Sequence, residues 1–198
     1  MNIPVALILF RFLLAPLILV LAFQFGEASK PYILVCMYLG LLSDVFDGII
    51  ARKQNIASAK LRRMDSQTDM VFWLSIGIST WKLYPVLIET HSTAIWAILA
   101  MEASVYVISF IRFGKETCTH AFLSKMWGLS LLIAFTSLIG FNHAGFPFAM
   151  AIILGLISHV DRILITLILK SWTHDVPSAY HAWLLRRGKR FKKNILLN

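Results

Sequence analysis

The chain has 198 residues, of which 58% are hydrophobic and 15% charged, with a mean hydropathy of +0.73. Soluble domains carry about 25% charged residues, so a soluble globule with a polar shell is excluded. The net charge of +9 comes from basic residues that flank apolar segments instead of interleaving with a soluble fold, which excludes nucleic acid and points to an anionic membrane surface.

The opening stretch, MNIPVALILFRFLLAPLILVLAF, has too long an apolar run and no basic lead-in for a cleaved signal peptide, so it reads as a retained span. Crossing roughly 30 Å of hydrocarbon takes about 20 apolar residues. Windows of that kind stand at 4–25, 32–51, 65–86, 93–113, 124–142 and 146–169. They predict an all-α integral membrane bundle of six transmembrane helices. The breaks carry turn and polar signals: GEASK, KQNIASAKLRR, ETHS and FNHAG.

Sorted by the nearer membrane face, every lysine and arginine except Lys30 and Lys82 falls on one side, with Arg11 and Arg162 set apart as lying deep within spans. The positive-inside rule then sets both termini and the segment from Asp44 to Asp69 at the cytoplasmic face, in the inner membrane if the source is bacterial. Residues 1–170 are expected to form the catalytic membrane domain, and 171–198 a basic amphipathic tail. That tail mixes Trp172, Tyr180, Trp183, Leu184 and Leu185 with a basic cluster, as expected at an anionic lipid interface.

Ionisable residues within spans are costly and mark functional candidates. In LLSDVFDGIIARKQ, Asp44 and Asp47 share one helix face, and in RRMDSQTDM so do Asp65 and Asp69. Antiparallel neighbouring helices bring the two pairs to one depth. Clustered carboxylates need positive charge among them, and oxygen-only ligands favour Mg²⁺, Mn²⁺ or Ca²⁺, a pair of which suits a diphosphate. Gly48 lets a ligand approach the backbone, and Arg52 can reach phosphate oxygens. The alternative is interfacial salt bridging of the aspartates to Arg52, Arg62 and Arg63. A cation path is a second alternative, but it needs polar groups through the full membrane depth, whereas these carboxylates crowd at one end.

Asp44-Val-Phe-Asp47-Gly48-Ile-Ile-Ala51-Arg52, eight residues, Leu61, three residues, Asp65, three residues and Asp69 resembles the CDP-alcohol phosphotransferase signature, D-x-x-D-G-x-x-A-R, eight residues, G-x-x-x-D-x-x-x-D. The departure is Leu61, where the family has a glycine that lets the nucleotide lie against the helix. The resemblance implies that Asp44, Asp47 and Asp65 hold two divalent cations, Mg²⁺ or Mn²⁺. It also implies that Asp69 is both a ligand and the general base, and that Gly48, Ala51 and Arg52 belong to a CDP site. A homodimer is implied as well. Asn2-Ile3-Pro4, Phe10-Arg11 and Pro16 resemble the start of the family's phosphatidylglycerophosphate and cardiolipin synthases, with Ile8 in place of the usual threonine. CDP-diacylglycerol is then the expected donor and glycerol 3-phosphate the leading acceptor, ahead of phosphatidylglycerol, serine or inositol phosphate.

A phosphorylated acceptor needs cations, and SFIRFGKETCTHAFLSKMWG supplies Arg112, Lys115 and Lys125 for it. His120 reads as a loop histidine. Arg11 has a bland reading as a snorkelling side chain, and Glu102, Asp161 and Arg162 read as polar packing within the bundle. Cys36 and Cys118 form neither a CxxC pair nor a zinc spacing.

Overall fold

A computed structural model describes residues 2–54, 56, 58–115 and 121–189. Among these the chain is helical and has no strand: α1 Ile3–Phe25, α2 Lys30–Lys53, α3 Ala59–Leu83, α4 Pro85–Thr90, α5 Ser92–Phe113, α6 Phe122–Phe135, α7 Phe146–Ile168 and α8 Ala179–Arg186. A helix stands in each predicted window, α6 running for 14 residues before a π-helical turn carries it to Gly140. Among the described residues, four stretches are long and apolar enough to cross a membrane: Ile3–Lys53, Ser92–Phe113, Phe122–Gly140 and Phe146–Ile168. The first contains both α1 and α2, of 23 and 24 residues, and each exceeds the ~30 Å of hydrocarbon at about 1.5 Å per residue.

The third window is where six equivalent spans do not hold. α3 begins at Ala59, not at 65, so Lys60, Arg62 and Arg63 are helical, and with Asp65, Asp69 and Lys82 they dilute its apolar character. The earlier start has a local cause. Ser58 has extended backbone, and its side chain accepts the Leu61 N–H at 3.2 Å, an N-cap that satisfies an otherwise orphaned donor. The same helix ends early because Pro85 biases Tyr84 away from helical backbone, and a short helix, α4, follows.

The chain forms two units. The first comprises Met1–Thr90 and Ala134–Gly145. Here α1 packs against both α2 and α3. α1 stops at Gly26, whose φ of 53° lies in the left-handed region that glycine enters freely. A four-residue turn, Gly26–Ser29, then leads into α2, held by the Ser29 hydroxyl donating to the Gly26 carbonyl at 2.6 Å. Ala15, Ile18 and Ala22 of α1 are buried, as are Ser75, Ile76, Ser79 and Thr80 of α3. Small side chains allow close helix approach in apolar surroundings, and the Ser79 hydroxyl donates to the Ile18 carbonyl at 3.4 Å. A π-helical turn, Thr136–Gly140, is tied to the first unit by Tyr84 donating to the Ile139 carbonyl at 3.2 Å.

The second unit comprises His91–Ile133 and Phe146–Asn198. α5 and α7 pack together around Glu102, whose Oε2 lies 2.6 Å from Arg162 Nη1 and 2.7 Å from His159 Nε2. The polar-packing reading of Glu102 and Arg162 is thus an ion pair, with buried His159 added. Trp127 of α6 meets the His159 ring edge-on at 4.7 Å. Asp161 Oδ1 accepts the Ala179 N–H at 2.9 Å, capping α8 and seating it on α7. The shared apolar cluster is Ala121, Ile165, Leu169, Val176 and Ala182, and it leaves Tyr180 and Trp183 exposed.

Candidate active site

The four aspartates converge because three helices of the first unit deliver them together. Asp44 and Asp47 lie near the end of α2, and Asp65 and Asp69 near the start of α3. The approach of α2 to α3 is fixed by Gly40, where a Cβ would collide with the buried Phe72 ring. α1 packs on both helices and contributes Arg11 to the centre of the cluster.

Arg11 binds all four carboxylates. Its Nη1 lies 2.5 Å from Asp44 Oδ1 and 3.0 Å from Asp69 Oδ1, while its Nη2 contacts Asp47 Oδ2 at 3.2 Å and also meets Asp65 Oδ1. Burial divides the site into floor and rim. The Asp47 and Asp65 side chains are 4% and 8% exposed, those of Asp44 and Asp69 are 34% and 35%, and Arg11 itself is only 1% exposed. A ligand arriving from outside therefore meets Asp44 and Asp69 first.

The donor set fits a hard divalent cation. Asp44, Asp47 and Asp65 each offer a carboxylate oxygen within 4.8 Å of the others, and oxygen-only coordination is the preference of Mg²⁺, Mn²⁺ and Ca²⁺. Charge points the same way, since one guanidinium cannot balance four clustered carboxylates.

Around the cluster, Ala51 is buried and Gly48 half-buried. A Cβ at Gly48 would lie 3.4 Å from Arg52 Nη1, so the Arg52 side chain lies across the bare backbone there. Leu61 is half-buried in the first turn of α3, with its N–H bound to Ser58.

The proposed acceptor residues belong to the second unit. Arg112 donates to the Leu169 carbonyl at 2.9 Å, Lys115 Nζ stands 5.4 Å from the Trp172 ring centre, and Lys125 is an exposed residue of α6. His120 and Cys118 lie outside the described residues, and Cys36 is a buried free thiol.

Arg11 is the residue that sequence reasoning undervalued. A snorkelling side chain should reach water, whereas this one is enclosed. The available signal was its isolation. It is the one basic residue of a 23-residue apolar helix, and an intramembrane charge with no partner on its own helix must find one elsewhere.

Fold and site together define an apolar helical protein with a carboxylate cage able to hold a divalent cation. The family model for CDP-alcohol phosphatidyltransferase matches residues 1–180, and the chain belongs to that family. It is accordingly a transferase of substituted phosphate groups, moving a phosphatidyl group from a CDP-alcohol in phospholipid synthesis, within a family generally dependent on divalent cations. No curated protein and no solved structure matches the chain.

Proposed function

We propose that the chain transfers the phosphatidyl group of CDP-diacylglycerol to glycerol 3-phosphate, releasing CMP and forming phosphatidylglycerophosphate. The observation that carries the reading is the convergence of Asp44, Asp47, Asp65 and Asp69 around one buried position. The acceptor is argued from the opening residues Asn2, Pro4, Arg11 and Pro16 and from the cations Arg112, Lys115 and Lys125.

In this reading the four aspartates hold two divalent cations, Mg²⁺ or Mn²⁺. The chemistry the bound ions supply is neutralisation of the diphosphate and of the charge that leaves with CMP. Gly48 and Ala51 keep side-chain bulk off α2 for the nucleotide, and Arg52, whose side chain lies across Gly48, contacts its phosphates. Asp69, on the exposed rim, accepts the proton of the acceptor hydroxyl. The hydroxyl oxygen then bonds to the phosphorus bearing the diacylglycerol, and the bond from that phosphorus to CMP breaks in a single displacement. Arg112, Lys115 and Lys125 receive the acceptor phosphate.

The reaction runs at the cytoplasmic face of a multi-pass protein with both termini inside. That orientation is supported by the lysine and arginine distribution. The segment beyond residue 170, with Trp183 and Tyr180 exposed on α8, rests on anionic lipid. The working unit is a homodimer.

Purified protein with Mn²⁺ and CDP-diacylglycerol is expected to release CMP and yield phosphatidylglycerophosphate when given glycerol 3-phosphate, read by mass spectrometry of the lipid product. Product with phosphatidylglycerol, serine or inositol phosphate instead would reassign the acceptor. No CMP release with any of them would end the reading.

A further inference from the structure

Each of the four aspartates gives one oxygen to the Arg11 guanidinium. A guanidinium is a planar fork suited to bidentate pairing with carboxylates, whereas here each carboxylate meets it through a single oxygen. The mismatch is visible in its hydrogen bonding. Arg11 Nε and Nη1 are fully buried yet complete no hydrogen bond, although Nη1 lies within ion-pair distance of Asp44 and Asp69. A buried donor without an aligned acceptor is costly, so the guanidinium is held by charge more than by fit. Three of the carboxylates that hold it also meet the geometric requirement for a divalent cation.

We infer that Arg11 is a built-in counter-cation that competes with divalent ions for the same aspartate oxygens. The inference rests on the metal-binding reading above. Arg11 supplies one positive charge where the cage asks for more, and it bridges α2 and α3 from α1, holding both aspartate pairs in place. An entering ion must take carboxylate oxygens from the guanidinium. Arg11 therefore lowers the affinity of the cage for metal while keeping three helices assembled when metal is scarce. Two cations drawn to one set of oxygens oppose each other's occupancy, and the opposition is reciprocal.

The test uses the full-length protein in nanodiscs. Mn²⁺ is titrated at fixed pH, with free Mn²⁺ read by electron paramagnetic resonance, against the wild type, Arg11→Met, Arg11→Lys and Asp47→Asn. Arg11→Met is expected to bind Mn²⁺ at least tenfold more tightly than the wild type. Arg11→Lys, a compact and more strongly hydrated point charge, is expected to fall between them and covers the case in which the methionine variant does not fold. Saturating Mn²⁺ should also raise the unfolding midpoint of both variants more than that of the wild type. Equal or weaker Mn²⁺ binding in the Arg11 variants, with Asp47→Asn still weakening it, would overturn the competition and leave the metal site standing. An absence of Mn²⁺ binding in every folded protein, Asp47→Asn included, would overturn the metal site and the inference with it.

Discussion

The Phe72 ring occupies the space in which a side chain at Gly40 would begin. This contact sets how closely α2 and α3, the carriers of the two aspartate pairs, approach at Gly40. Gly40→Ala forces either the ring or a helix to move, and overpacking of this kind costs about 1–3 kcal/mol. The expected outcome is a lower unfolding midpoint with a disproportionate loss of turnover, measured by thermal unfolding and CMP release. Phe72→Leu in the same chain should restore much of both.

Asp69→Asn removes a proton acceptor from the rim while leaving an oxygen in the same position. The expected outcome is loss of turnover of at least 100-fold, the scale of a general base, with CDP-lipid affinity changed only a few-fold. Turnover within a few-fold of wild type would rule Asp69 out as the base.

Leu61→Gly restores the family residue in the first turn of α3. Nucleotide affinity, measured by calorimetry with CDP, is expected to rise several-fold if the leucine crowds the pocket. Stability should fall by about 0.5–1 kcal/mol because glycine loses more backbone freedom in a helix. Unchanged affinity would mean that the side chain does not narrow the site.

In the second unit, Glu102→Ala strips Arg162 and His159 of their shared carboxylate. The pair is partly buried, so stranding its donors costs about 1–3 kcal/mol. Faster hydrogen exchange in α5 and α7 is the expected readout, and combining Glu102→Ala with Arg162→Met should recover part of the loss because no charge is then stranded.

The helices were legible because each is an apolar run bounded by turn residues, and the aspartates because spacing along a helix dictates a shared face. What escaped was decided between helices. The early start of α3 turns on one hydroxyl, Ser58, within a stretch whose charge reads as loop. Asp161 was recognisable as a polar residue in a span, yet its partner is the backbone of Ala179, and that depends on how the chain returns after α7. Arg11 escaped for the same reason. Periodicity says which way a side chain points around its own helix, but not which neighbour stands there.

The placement of Arg11 also makes α1 a ruler. Between the guanidinium and the turn at Gly26 each residue adds about 100° of rotation and about 1.5 Å of rise. A single deletion in that interval would swing Arg11 out of the carboxylate cage while leaving the hydropathy profile nearly unchanged. Side chains along it can drift among apolar types, but its length cannot change, so a stretch that looks like interchangeable lipid-facing filler is bound by an exact residue count.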